Sequence, residues 1–302
     1  MYFVVNPAAG RGRGRKTLDR LQSLLGPEDV VAVSEGPGHC QRLAAEGAAG
    51  HPVVTVVGGD GTVCEVINGI AQAGFTAALG ILPVGTANDL ATGVGIPRDF
   101  ERALAIVRAG HVHPVDLGLI VRGDEQRFFA TTAGAGVNAV IASRAQNETD
   151  KAVGSPVVYI GAMIRTLLRY PTLPVEIEAG DFTYRGKVLM MSVSNVAKEG
   201  DLFWLAPGAR PDDGFLHLLI LGDVPTWLRP WYAFKCIQGG ARRLKRASLR
   251  ATKSVTLRGV GDTPFYVDGE YSPLRAGESV QMTIEEGRLA VLAPPALGTP
   301  GD

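Results

Sequence analysis

Hydrophobic positions fall into two rhythms along the chain. As far as Val115, short apolar or β-branched runs alternate with longer stretches of helical periodicity, the βαβ pattern of a parallel sheet. The runs predict strands over 2–6, 30–34, 53–57 and 79–82, and the stretches predict helices over 15–25, 38–49, 63–73 and 99–109. Beyond Val115 come short β-rich runs at 126–132, 175–178, 182–193, 214–221, 254–257, 264–267 and 279–284, separated by Gly and Pro. That texture predicts an antiparallel β-sandwich, with helical inserts near 155–169 and 225–240. The expected division is an α/β domain over 1–115 and a β-sandwich over 116–285. A Pro/Gly-rich tail after Ala293 is expected to fray.

Polar, glycine-bearing turns follow three of the parallel strands. Val53 to Val57 runs into Gly58-Gly59-Asp60-Gly61-Thr62, Leu79 to Leu82 into Pro83-Val84-Gly85-Thr86-Ala87-Asn88-Asp89, and Tyr2 to Val5 into Asn6-Pro7-Ala8-Ala9-Gly10-Arg11-Gly12. Parallel strands point their carboxyl ends the same way, so the three turns should open on one rim of the sheet. Glycines let backbone N–H groups approach a ligand, and a helix N-terminus after such a turn suits phosphate. Asp60 suits a magnesium ion or its water, or else bonds its own turn; Asp89 is a second rim acid, or a helix cap. Ser34 closes the second strand, where a simple cap is an equal reading. No Walker motif is present, because Gly10-Arg11-Gly12-Arg13-Gly14 lacks the Lys-Ser/Thr ending.

These segments, in this order, resemble the diacylglycerol kinase-like lipid kinases, a family related to sphingosine, ceramide and NAD kinases. The resemblance rests on Asn6 to Gly10, on Gly58 to Thr62 with Glu65, Asn68 and Gly69, and on Pro83 to Asp89. Downstream it adds Asp212-Asp213-Gly214 and Val267-Asp268-Gly269-Glu270. It implies a NAD kinase/phosphofructokinase-like first domain, to which the chain returns near 286–296. It also implies an ATP- and Mg²⁺-dependent lipid kinase acting on a diacylglycerol-like lipid. By resemblance, Asn6, Ala8, Ala9, Gly10, Arg11, Gly12, Ser34, Gly58, Gly59, Asp60, Gly61, Thr62, Glu65 and Thr86 face the nucleotide. Asp60 and Asp89 would serve the Mg²⁺–ATP complex, and Glu270 would be the base that deprotonates the lipid hydroxyl. Asp213, with the carbonyls of Arg210 and Phe215, would hold a structural Mg²⁺. Without the resemblance, Asp212-Asp213-Gly214 reads as a plain β-turn, Asp-Gly at 268–269 as a hairpin turn and Glu270 as a solvated side chain. Cys64 departs from the Asn usual in the family and suggests a lost contact, or simply a small buried residue.

Two alternatives stand beside this reading. A NAD kinase shares the Gly-Gly-Asp-Gly turn, but its Asn-Thr-Asp-like segment is hard to find here. A nucleotide- or lipid-sensing module would keep the scaffold without the chemistry.

Composition narrows the picture further. The 302 residues carry 30 basic and 30 acidic side chains, so attraction to anionic lipid must come from local patches, and no nucleic-acid partner is expected. Trp227, Trp231, Tyr232 and Phe234 lie beside Arg229, Lys235, Arg242, Arg243, Lys245 and Arg246. That mixture suits either a membrane surface or, for the apolar faces, packing against the sheet. Arg165 and Arg169 share a face of the first helical insert. Cys40, Cys64 and Cys236 fit reduced thiols, and the five histidines suggest no site. With no run near ~18 apolar residues and no signal peptide, the expected place is the cytoplasm, peripheral to the inner membrane face, with a homodimer possible.

Overall fold

A computed structural model describes residues 1–146 and 156–295, in two compact units. The first unit holds 1–117, 210–214 and the chain from 285 onward; the second holds 118–209 and 215–284. The tail expected to fray lies largely outside the described residues, and so does the first residue of the 155–169 insert.

The first unit alternates β1 (Tyr2–Val5), α1 (Ala9–Gln22), β2 (Val30–Val33), α2 (His39–Gly50), β3 (Val53–Gly58), α3 (Asp60–Gln72), β4 (Ala78–Pro83), α4 (Asp89–Gly93) and α5 (Phe100–Ala109). The strands pair in the order β2, β1, β3, β4, all parallel. Val4, Val54, Val56, Ile81 and Leu82 are fully buried, as strands covered on both faces require. Gly69 lets α2 and α3 cross closely, since a Cβ there would lie 2.2 Å from the Gln41 carbonyl oxygen. Asp99 caps α5 by accepting from the Arg102 N–H.

The second unit is antiparallel. After β5 (Val112–Arg122), which begins in the first unit, come β6 (Glu125–Phe129), β7 (Thr132–Gly136), α6 (Val137–Gln146), α7 (Pro156–Arg169), β8 (Leu173–Ala179), β9 (Phe182–Ser194) and β10 (Leu216–Gly222). Then follow α8 (Arg229–Ile237), β11 (Ala247–Thr252), β12 (Ser254–Gly259), β13 (Phe265–Val267), β14 (Glu270–Tyr271) and β15 (Ser279–Leu292). The strand order runs β14, β13, β7, β9, β8, β12, β15, with β10 bridging β9 and β11. Alternation along β10 sends Leu216, Leu218 and Ile220 into one apolar cluster and Leu219 and Leu221 into another. Tyr232 and Cys236 of α8 complete the second cluster.

Several elements differ from the expectations. α1 starts at Ala9 rather than 15, but Gly10, Arg11 and Gly12 break its first turn with φ of 61°, 60° and 85°. The run expected over 126–132 is two strands, and β5, α6 and β11 lie outside the expected elements. Pro114 and Gly118 hide β5, and the small residues of Thr132–Gly136 read as loop. β15 is one long strand whose pattern is broken at Glu285-Glu286-Gly287, where Gly287 has φ 55°. Its last residues return to the first unit, where Val291 pairs in parallel with Leu79 of β4.

Candidate active site

The three turns of the first unit converge on one rim. Asn6 Nδ2 donates to Thr62 Oγ1 at 2.9 Å, joining the turn after β1 to that after β3. Its Oδ1 accepts from the Ala8 N–H and so shapes its own turn. Gly10 meets the turn after β4 so closely that a Cβ would lie 1.9 Å from the Val84 carbonyl oxygen. Arg13 donates to the Gly85 carbonyl at 2.8 Å. Gly59 and Gly85 face each other, and a Cβ on Gly85 would sit 2.4 Å from the Gly59 Cα. Here glycine is required by contact rather than by turn conformation.

Asp60 fastens two of these turns. Its Oδ2 accepts from the Asn88 N–H at 2.7 Å and its Oδ1 from the Asp89 N–H at 2.6 Å, so one carboxylate caps α4 from 28 residues away. Asn88 holds a left-handed conformation, φ 57°, and its amide brackets Gly85 by accepting from its N–H and donating to its carbonyl. Asp89 is buried beside them, while Ala8, Arg11, Gly12, Gly61 and Thr86 are exposed along the rim. Glu65, on α3, reaches α2 instead: its two carboxylate oxygens accept from the Gly38 and Cys40 N–H groups at 3.0 and 3.1 Å, capping that helix. Ser34 is buried at the end of β2 and donates to the Gly36 carbonyl. Cys64 is buried in α3, with its carbonyl bonded by Asn68 Nδ2.

Glu270 opens β14 in the second unit. Asp268 and Gly269 form the tight turn between β13 and β14 with φ of 45° and 85°. The Asp268 carboxylate is buried and accepts from the N–H groups of Ala130, Thr131 and Thr132 and from the Thr131 hydroxyl. The hairpin is therefore held from its base, and Glu270 projects from it exposed, in an ion pair with Arg127.

The turn at 210–214 closes on itself. Asp213 Oδ2 accepts from the Arg210 N–H at 3.0 Å, and the Asp213 N–H donates to the Arg210 carbonyl. The Arg210 guanidinium grips Asp212 through two 2.9 Å bonds, which relieves the charge of the adjacent acids. Phe215 follows in the second unit, exposed, with Lys253 Nζ 4.4 Å above its ring. Sequence reasoning missed Asp116, which is buried and anchors this turn: its Oδ2 accepts from the Gly214 N–H and its Oδ1 from the Gly287 N–H. A lone acid inside the run Pro114 to Gly118 was the available signal.

Residues 1–120 match the diacylglycerol kinase catalytic domain family, and 131–293 match the YegS C-terminal NAD kinase beta sandwich-like domain. The chain belongs to the diacylglycerol kinase-like lipid kinases. A Klebsiella pneumoniae protein named "Probable lipid kinase YegS-like" is 34% identical over 219 residues, 70% of this chain and 71% of that one. A Staphylococcus saprophyticus protein named diacylglycerol kinase is 26% identical over 273 residues, 89% of this chain and 88% of that one. The crystal structure of a Bacillus anthracis diacylglycerol kinase shares the fold, with TM-score 0.74 at 21% identity over 98% of this chain and 97% of that one.

This lipid kinase carries one further buried polar network, in its second unit. Tyr266 donates its hydroxyl to Glu199 Oε2 at 2.6 Å and accepts from Asn138 Nδ2 at 3.1 Å. The Glu199 residue is partly exposed, but its carboxyl group is enclosed by protein. Burial, against the Tyr266 bond and with Asp268 nearby, pushes it up to about 7 from 4.5. The folded state thus holds this proton more tightly than the unfolded chain. Its contribution to stability is complete below pH 4.5 and is lost as pH rises through 7. Thermal unfolding between pH 5 and 8 should show the midpoint falling, and Glu199→Gln should flatten that fall. A slope unchanged in the variant would assign it to other groups.

Proposed function

We propose that the protein transfers the γ-phosphate of ATP to the hydroxyl of a diacylglycerol-like membrane lipid, at the inner face of the cytoplasmic membrane. The observation that carries this reading is the convergence of the Asn6, Gly58 and Pro83 turns on one rim beside the N-terminus of α3. Such a rim offers backbone N–H groups and a helix dipole to polyphosphate. Ala8 to Gly12, Gly58 to Thr62 and Thr86 line the nucleotide, with Arg11 and Arg13 as exposed cations at its edge. Among the described residues no three His, Cys, Asp or Glu side chains cluster as a metal cage. Mg²⁺ keeps its waters and needs only one or two carboxylates beside the phosphates, so the oxygens of Asp60 and Asp89 fit it. The Asp213 turn, with the Arg210 and Phe215 carbonyls, offers oxygen donors of the kind a structural Mg²⁺ takes. When bound at the nucleotide the ion supplies charge neutralisation of the phosphates. Glu270 is the base for the lipid hydroxyl. Ser34 and Glu65 shape the rim from behind through the bonds described above.

The test is transfer of label from γ-labelled ATP with Mg²⁺ into a panel of lipids in mixed micelles, with NAD in parallel. Labelled lipid is expected. Label in NADP, or ATP binding without any transfer, would overturn the reading.

A further inference from the structure

The aromatic residues around α8 do not all pack on the sheet. Tyr232 and Cys236 point into the core, and the buried Arg229 donates to the carbonyls of Leu167, Tyr170 and Val224, fixing α8 to the end of α7. On the opposite face Trp227 is 78% exposed, Trp231 50% and Phe234 46%. These residues recur at i, i+4 and i+7, one stripe of a helix and the short turn before it. Trp231 and Phe234 rings lie 5.8 Å apart, and Lys235 Nζ sits 4.6 Å from the Trp231 ring.

Charge says what this stripe meets. Between residues 224 and 261 the sequence has nine Lys and Arg and no Asp or Glu, although the whole chain is neutral. Arg242, Arg243, Lys245 and Arg246 are exposed in the segment that follows α8, and Leu244 between them packs in the same cluster as Tyr232. Arg242 and Arg246 donate to the Pro207 and Asp223 carbonyls rather than to carboxylates, so these bonds leave their charge uncompensated. On α7, which packs against α8 and the short turn before it, Ile164, Arg165 and Arg169 are exposed.

We infer that the Trp227–Trp231–Phe234 stripe and its flanking cations form the surface by which this kinase docks on an anionic lipid bilayer. Exposed tryptophans and a phenylalanine enter the headgroup boundary, and surrounding Lys and Arg are attracted to the negative leaflet. A second copy of the chain would bring the same excess of positive charge to the contact, and charge repulsion opposes it. The inference deepens the proposed function and rests on it for the membrane as the place of the acceptor.

Vesicles of phosphatidylglycerol and phosphatidylcholine, against phosphatidylcholine alone, test it by co-sedimentation with the full chain. Wild type should bind the anionic vesicles, lose binding with salt, and show a blue shift of tryptophan emission. The triple change of Trp227, Trp231 and Phe234 to Ala should lower partition at least tenfold. Each of R242E, R243E, K245E and R246E should lower it about fivefold or more on anionic vesicles only, the value of one cation near such a surface. All variants should keep wild-type turnover on a water-soluble short-chain diacylglycerol, because none of these residues belongs to the proposed site. Equal partition of wild type and triple variant would overturn the docking surface. So would loss of a solution dimer, or of RNA binding, in the triple variant with vesicle binding unchanged. Vesicle binding through the stripe with no lipid phosphorylated would leave docking standing and overturn the acceptor reading instead.

Discussion

Glu270→Gln should lower phosphoryl transfer by about 10²- to 10⁴-fold, the range for losing a positioned base, while nucleotide affinity stays within about twofold. The substitution keeps the shape of the side chain and an oxygen for Arg127 to bond. Both partners of that ion pair are more than a third exposed, at 57% and 38%, so the pair adds little to folding. The hairpin does not depend on it either, since Asp268 provides the hold through three backbone N–H groups and one hydroxyl. A fall in turnover with an unchanged unfolding curve is therefore a chemical effect. Asp268→Ala is the contrast: it strands buried donors and should lower both turnover and the unfolding midpoint. Steady-state transfer, with nucleotide binding by calorimetry, measures the difference. Turnover within threefold of wild type in Glu270→Gln would remove Glu270 from the reaction.

What was legible in the chain was local. Val53 to Val57 followed by two glycines specifies a buried strand and a turn through nearest neighbours alone, and the parallel rhythm then places three such turns on one rim. Asp268-Gly269 likewise announced a hairpin. What depended on partners distant in sequence was not legible. Nothing near Glu65 says that its carboxylate caps a helix 25 to 27 residues earlier. Tyr266 and Glu199 are 67 residues apart, and neither flanking segment suggests a buried pair. The sheet's alternation hid β5 and the second half of β15, because Pro114, Gly118 and Gly287 interrupt the pattern that a strand is recognised by. Around α8 the sequence left two readings open, and only burial separated Tyr232, which packs, from Trp227, Trp231 and Phe234, which do not.

Asp60 is where local and distant readings meet, and Asp60→Ala should have the second large effect. Its carboxylate bonds the N–H groups of Asn88 and Asp89, so the change leaves two rim donors without that acceptor, at about 1–3 kcal/mol each where they are shut from water. The turn that Asn88 braces around Gly85 should loosen, and with it the face that Arg13 and Gly59 share. Transfer should fall by more than about 10²-fold, the scale on which misplaced groups act. The midpoint of unfolding should fall by several degrees, at about 2–4 °C per kcal/mol for a domain of this size. The clamp also separates two roles that a metal-dependent assay alone confounds. If Asp60 acts by holding the turns, ATP affinity falls in EDTA as well as with Mg²⁺. If it acts only through an ion, affinity in EDTA stays at the wild-type value and only the Mg²⁺-dependent part is lost. We expect loss in both conditions, because both oxygens already serve the backbone and a metal would share them through their remaining lone pairs. Wild-type stability together with wild-type affinity in EDTA would overturn the clamp.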